Sequence, residues 1–283
     1  MMVEFVRTAE LDVGYVVTGP EGGRGLVAVH GWPDDVHCWD GVLPFWHEAG
    51  YRVYRPFLRG FGPTRFRSAD TMRSGQIGAL GHDLAAFLEA LDLDRVLLVG
   101  HDWGARAGYV VGALFPERVA ALVALSAGYA TNRPDAPLSW PLVHAYWYEW
   151  FVATERGRRA MRDDRRSFSR HLWETWAPGW TFGDQEFEQA AAAWDNDDWP
   201  PVTVHAYLHR WGRRREIRPT TTSSSACRIR RRYGFRRSWC TEPRTATTCP
   251  RRPKARTNCS PPTTNGSFFP ASATFRRARR PRR

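Results

Sequence analysis

The sequence predicts an α/β protein with a mostly parallel sheet flanked by helices, then an aromatic-rich region, then a tail unlike either. Three observations carry this reading. Over the first 127 residues, short apolar runs rich in β-formers alternate with stretches of helical apolar spacing, the pattern of βαβ units. One run, Arg95-Val96-Leu97-Leu98-Val99, ends in Gly100-His101-Asp102-Trp103-Gly104, and a small-residue helical pattern follows at once. Finally, composition breaks abruptly at residue 213.

The elements follow in order. Val3 to Thr18 alternates as a strand or hairpin and is closed by Gly19-Pro20 and Gly22-Gly23. Leu26-Val27-Ala28-Val29 is a short buried strand that runs into His30-Gly31-Trp32-Pro33. Arg52-Val53-Tyr54 begins another strand, leading to the turn Arg59-Gly60-Phe61-Gly62. Leu80, Leu84, Phe87, Leu88 and Leu91 give Ile77 to Leu91 a helical apolar face. After the elbow helix, Ala120 to Ala127 is one more buried strand. An aromatic-rich stretch then includes Tyr146-Trp147-Tyr148-Glu149-Trp150-Phe151, Trp173, Trp176, Trp180, Trp194, Trp199 and Tyr207. This divides the chain into a core over 1–131, an aromatic-rich insertion over 132–212 and a tail over 213–283.

The apex of the elbow carries chemistry. A strand that turns sharply into a helix, with glycines two positions either side of a polar residue, holds that residue exposed on a strained backbone. Here the apex residue is Asp102, an acid where many such elbows place serine. An aspartate at a helix N-terminus is also an ordinary cap. The turn His30-Gly31-Trp32-Pro33, taken alone, reads as a tight strand-end turn.

Bulk properties set limits. The net charge of +12 is unevenly placed, because 20 Arg and 1 Lys against Glu216 and Glu242 put +19 in the last 71 residues. The first 212 residues therefore carry −7 and read as an acidic globular protein. The tail holds four of the five cysteines and no Leu, Val, Asp, His or Met, so it reads as disordered rather than packed. Cys227, Cys240, Cys249 and Cys259 lack zinc-ligand spacing, and no metal or cofactor is expected. No apolar run reaches membrane-spanning length and no secretory leader opens the chain, so a cytoplasmic location without membrane association is expected.

Taken together, His30-Gly31-Trp32-Pro33, Arg59-Gly60-Phe61-Gly62 and Gly100-His101-Asp102-Trp103-Gly104 resemble, in order and spacing, the α/β-hydrolase superfamily. The branch they resemble is that of the epoxide hydrolases and haloalkane dehalogenases, which use an aspartate nucleophile. The resemblance covers residues 1 to about 212. It implies Asp102 as nucleophile, the backbone N–H groups of Trp32 and Trp103 as an oxyanion hole, and a helical cap. It also implies two cap tyrosines, Tyr148 and Tyr207, that donate hydrogen bonds to an epoxide oxygen, although either could be simple packing. Trp32 stands where dehalogenases usually have Asn, which favours a small apolar epoxide as substrate over a haloalkane.

The family's acid and histidine are absent from their places. No histidine follows His209, and the tail has no Asp. Asp135 follows the last recognisable strand, without support around it. Read from the third base of each codon, Trp239 to Arg244 permits Val-His-Gly-Ala-Ala, and Thr245 to Pro250 permits Asp-Gly-Asp-Asp-Val-Pro. Phe268 to Phe275 permits Leu-Pro-Gly-Val-Gly-His-Phe-Pro in that frame, and Arg215 to Ser225 permits Gly-Asp-Pro-Ala-Tyr-Asp-Asp-Leu-Glu. These match an acid loop and a histidine loop in family order, so a single frameshift near Arg213 to Glu216 is expected, with a product that is inactive or limited to one turnover. The rival reading of the tail is a basic arm on a non-catalytic protein, binding polyanions non-specifically by charge. Scarce lysine and abundant Pro, Thr and Ser favour the frameshift, and no specific nucleic-acid partner is expected.

Overall fold

The computed structural model describes residues 2–129 and 137–212. The chain opens with an antiparallel hairpin, β1 (Glu4–Arg7) and β2 (Leu11–Thr18), as the alternation predicts. β3 (Arg24–Val29) follows, then a 3-10 turn over Val36–Val42, helix α1 (Leu43–Glu48) and β4 (Tyr51–Pro56). A two-residue strand β5 (Arg65–Phe66) pairs with β2. Next come α2 (Ile77–Ala90), β6 (Val96–His101), α3 (Trp103–Leu114) and β7 (Val119–Leu125). Nothing in the sequence pattern marked α1 or β5. The last strand ends two residues earlier than its apolar run, because the backbone turns at Ser126 with φ 59°.

Among the described residues the sheet order is β1-β2-β4-β3-β6-β7. β4, β3, β6 and β7 run parallel, and the hairpin closes one side antiparallel. β3 lies between two parallel neighbours, which is why Leu26, Val27, Ala28 and Val29 are all fully buried and read as a continuous apolar run. Alternate side chains serve opposite faces. Val27, Val29, Val96 and Leu98 join the core built with α2 and α3, while Leu26, Ala28, Val53 and Val99 pack with Trp39 and Trp46 on the other face. β7 pairs only with β6, and Val123 on it is 43% exposed.

After β7 the described chain is helical: α4 (Trp140–Ala145), α5 (Trp147–Val152), α6 (Glu155–Asp163), α7 (Arg165–Trp176), α8 (Asp184–Ala191) and α9 (Trp199–Arg210). This layer is fastened to turns that follow β3 and β4. The Trp194 indole donates to the Pro33 carbonyl, and Asn196 Nδ2 donates to Gly62 O at 3.1 Å and Thr64 O at 2.7 Å. Asp198, at the N-cap position of α9, pairs with Arg73 at 2.7 Å and makes no side-chain cap bond. No helix among the described residues is long and apolar enough to cross a membrane.

Arg59 holds the second turn from beneath. It is 2% exposed, and its guanidinium meets Asp83 on α2 through Nε at 2.5 Å and Nη2 at 2.6 Å, with Ser74 O at 3.0 Å and Glu10 at 3.2 Å. A buried cation is tolerated only when paired in this way. Replacing Asp83 by Ala is expected to lower unfolding free energy by about 3–5 kcal/mol, the usual cost of stranding one partner of a buried pair. Urea unfolding with an unchanged slope checks this. A loss below about 1 kcal/mol would mean that Glu10 and the Ser74 carbonyl satisfy the guanidinium unaided.

Candidate active site

β6 delivers the chain into the elbow, and Asp102 takes φ 45° and ψ −105° at the N-cap position of α3. A non-glycine residue there is strained by about 1–3 kcal/mol and persists only where its surroundings impose it. Its neighbours show how. A Cβ on Gly100 would sit 2.5 Å from Ala105 N, and one on Gly104 would overlap the Val29 carbonyl. Only glycines let the elbow helix close this tightly on β3. The Asp102 N–H is satisfied by Leu125 O at 3.0 Å.

Asp102 makes no side-chain cap bond, so the capping alternative does not describe it. Its Oδ2 instead accepts from the Trp32 N–H at 3.3 Å, and Arg106 Nε stands 3.9 Å from Oδ1. The turn that carries Trp32 lies directly against the elbow, since a Cβ on Gly31 would come 2.8 Å from Asp102 Cβ. Pro33 follows Trp32 through a cis peptide bond. Trp103 is the first residue of α3, so its N–H has no intrahelical acceptor.

His30 sits beneath this turn, fully buried. Its Nε2 accepts from Leu58 N–H at 3.1 Å, which leaves the ring proton on Nδ1, facing Gly31 O at 2.9 Å. Burial lowers its pKa to about 4, so it is a neutral structural bridge between two turns. His101 lies 3.7 Å from Asp34 through Nδ1, and His144 is exposed on α4.

The Trp32 ring is the meeting point of the remaining candidates. It stacks on Tyr148 at 5.6 Å and on Trp103 at 6.4 Å, and meets Tyr207 edge-on at 5.3 Å. Tyr148 and Tyr207 are themselves perpendicular at 5.5 Å. The structure therefore brings Asp102, Trp32, Trp103, Tyr148 and Tyr207 together, although they come from four separate stretches of chain. Burial, reinforced by Glu149 and Asp102, pushes the Tyr148 phenol well above its ordinary 10. Burial, with Tyr148, Glu149 and Asp102 adding, does the same for Tyr207. Both phenols hold their protons and are hydrogen-bond donors at neutral pH.

Sequence reading missed Glu149 and Thr203. Glu149 is fully buried, accepting from Tyr148 Oη at 3.0 Å and Trp211 Nε1 at 2.7 Å, with Arg210 at 3.3 Å. Burial raises its pKa against the opposing pull of Arg210. The signal was there, since it is the one acid in a run of six residues otherwise aromatic. Thr203 accepts from the Trp32 indole at 3.0 Å and carries no such mark. Asp135 and the whole tail, including the frameshift reading and Cys227 to Cys259, lie outside the described residues.

The α/β-hydrolase fold family model matches residues 26–179. In overall structure the chain is similar to a candidate epoxide hydrolase from Klebsiella pneumoniae, with 35% identity, 82% of this chain and 76% of that one covered, and a TM-score of 0.74. Potato epoxide hydrolase I, at 20% identity and a TM-score of 0.60 over 75% of each chain, shares the fold. In sequence, epoxide hydrolase 2 of Siraitia grosvenorii is 37% identical over 116 residues, 40% of this chain and 35% of the relative. Epoxide hydrolase A of Mycobacterium tuberculosis is 33% identical over 121 residues, 43% of this chain and 37% of the relative. The matched segments thus span little more than a third of these curated relatives. The elbow, the turn against it and these similarities lead to one conclusion: the chain belongs to the α/β-hydrolase fold family and within it is epoxide hydrolase-like.

Proposed function

We propose that Asp102 is the nucleophile of an epoxide-hydrolase-type reaction on a small apolar epoxide. The observation that carries this is the Asp102 carboxylate itself: raised on a strained elbow, free of any capping bond, and touched by the Trp32 N–H beneath two protonated tyrosines. An oxygen of Asp102 attacks an epoxide carbon in line with the C–O bond, and that bond's electron pair passes to the epoxide oxygen. Tyr207, or Tyr148 once its O–H turns from Glu149, hydrogen-bonds that oxygen and gives it a proton, so the product is a hydroxyalkyl ester of Asp102. Hydrolysis then requires water to attack the ester carbonyl, with the resulting oxyanion held by the N–H groups of Trp32 and Trp103. The helical layer over 132–212 acts as the cap that supplies the tyrosines, and 1–131 as the catalytic core. Halide displacement would use the same nucleophile, but the tyrosine pair suits an epoxide oxygen better.

The second step needs a base. His30 is neutral with both ring nitrogens engaged, and no histidine follows His209 in this sequence. We attribute the loss to the change of frame near Arg213 to Glu216, which makes 213–283 an out-of-frame tail. The chain as written then stops at the ester.

Resequencing the gene from the codons for His205 past Ser225 is expected to show one base gained or lost, opening the acid and histidine loops. An unchanged reading would remove the frameshift. Incubation of this chain with styrene oxide, followed by intact-mass analysis, is expected to give one adduct that Asp102→Asn abolishes. Sustained diol release without an adduct would contradict a stalled ester, and an undiminished adduct on Asp102→Asn would contradict the nucleophile. Tyr148→Phe and Tyr207→Phe are each expected to slow adduct formation by about 10²-fold, the usual worth of one positioned donor. Rates within about twofold of the parent, below even a weak hydrogen bond's worth, would assign the tyrosines to packing alone.

A further inference from the structure

Helix α9 has a second working face. Thr203 and Tyr207 point to Trp32, whereas Pro200, Pro201, Val204 and His205 line a groove of about 290 Å³. Its remaining walls are Met72 and Arg73, which follow β5, and Arg158 and Arg162 of α6. Asp102, Trp32, Tyr148 and Tyr207 do not line it, so it is separate from the candidate active site.

Among the described residues, every ionised side chain lining this groove is cationic. Arg73 is fixed by Asp198 at 2.7 Å and by the carbonyls of Ala69 at 2.8 Å and Thr71 at 2.5 Å. Among the described residues, Arg158 and Arg162, one helical turn apart, share the carboxylate of Glu155 at 3.9 and 4.0 Å, and Arg158 Nη2 also donates to Ala153 O at 3.3 Å. Those distances are too long for strong charge-assisted hydrogen bonds, and Glu155 is 69% exposed, so the pair keeps a net positive charge. His205 is buried in the same wall, its Nδ1 accepting from Gly75 N–H at 3.1 Å. Met72, Pro200, Pro201 and Val204 supply apolar wall beside these cations.

We propose that the groove binds a small organic carboxylate with a short alkyl chain. Arg158 and Arg162 take the carboxylate through their planar forks, and Met72, Pro200, Pro201 and Val204 cover the chain. The volume lies near the lower end of small-molecule sites, about 300–1,000 Å³, which sets the short chain. A bare inorganic anion would leave the apolar wall unused. This reading does not depend on the reaction proposed for Asp102.

The test is calorimetric titration of the full chain with sodium hexanoate, hexan-1-ol and inorganic phosphate in separate arms. Hexanoate is expected to bind saturably at one site, with the alcohol and phosphate each weaker by about tenfold or more. The double substitution Arg158→Gln with Arg162→Gln is expected to weaken hexanoate by about tenfold or more, with the circular-dichroism spectrum retained. If that variant does not fold, Arg162→Glu, at a half-exposed position, is expected to weaken hexanoate by the same factor. Absence of saturable binding overturns the proposal, as does unchanged affinity in a folded arginine variant. Phosphate binding as tight as hexanoate reduces the groove to a cationic patch and also overturns it.

Discussion

The backbone N–H of Trp32 lies 3.3 Å from one oxygen of Asp102, while its indole N–H, at the far end of the same residue, donates to Thr203 on α9 at 3.0 Å. Between these bonds the ring packs against Trp103 from the elbow helix, Tyr148 from α5, and Trp199 and Tyr207 from α9. Aromatic pairs of this kind are each worth about 0.5–1.5 kcal/mol beyond the area they bury. One residue thus sets the distance between the carboxylate and the helices above it. Loss of its ring would free both the elbow and the two tyrosines.

The elbow depends in turn on contacts that admit no side chain. Gly100, Gly104 and Gly31 each bring backbone close to backbone or to Asp102, and the strain at Asp102 is held by packing rather than by a cap. The electrostatics follow from burial. His30 is kept neutral beneath the turn, and the two phenols are kept protonated above the carboxylate, with buried Glu149 and partly buried Arg210 behind them. A negative group facing neutral donors is the arrangement in which attack on carbon can be matched by protonation of oxygen.

The helical layer is positioned by polar bonds to turns rather than by extension of the sheet. Trp194, Asn196 and Asp198 reach Pro33, Gly62, Thr64 and Arg73, all on loops. These same bonds seat α9, whose one side faces Trp32 and whose other side lines the arginine groove. The opposite border of the sheet is less protected. β7 has a pairing neighbour on one edge only among the described residues, and its side chains are partly exposed although apolar, a pattern that invites further strand pairing.

The order of strands and helices through β7 was readable from the chain because buried parallel strands are continuous apolar runs and α2 repeats its leucines at helical spacing. The elbow was readable too, since glycines at 100 and 104 around a polar apex have few other uses. α1 and β5 escaped notice because six and two residues are too short to show a period. By itself, then, the sequence determined the α/β class, the family and the four candidates that gather around Trp32, namely Asp102, Trp103, Tyr148 and Tyr207. Only the tertiary structure decided that Asp102 makes no cap bond, that His30 is a neutral strut, that Glu149 is the buried partner of Tyr148, and that Arg73 shares a groove with the distant Arg158 and Arg162. The physical reason is that each of these is a matter of burial and of contacts between residues far apart in the chain. Local pattern fixes which face of an element is apolar, but not what that face meets.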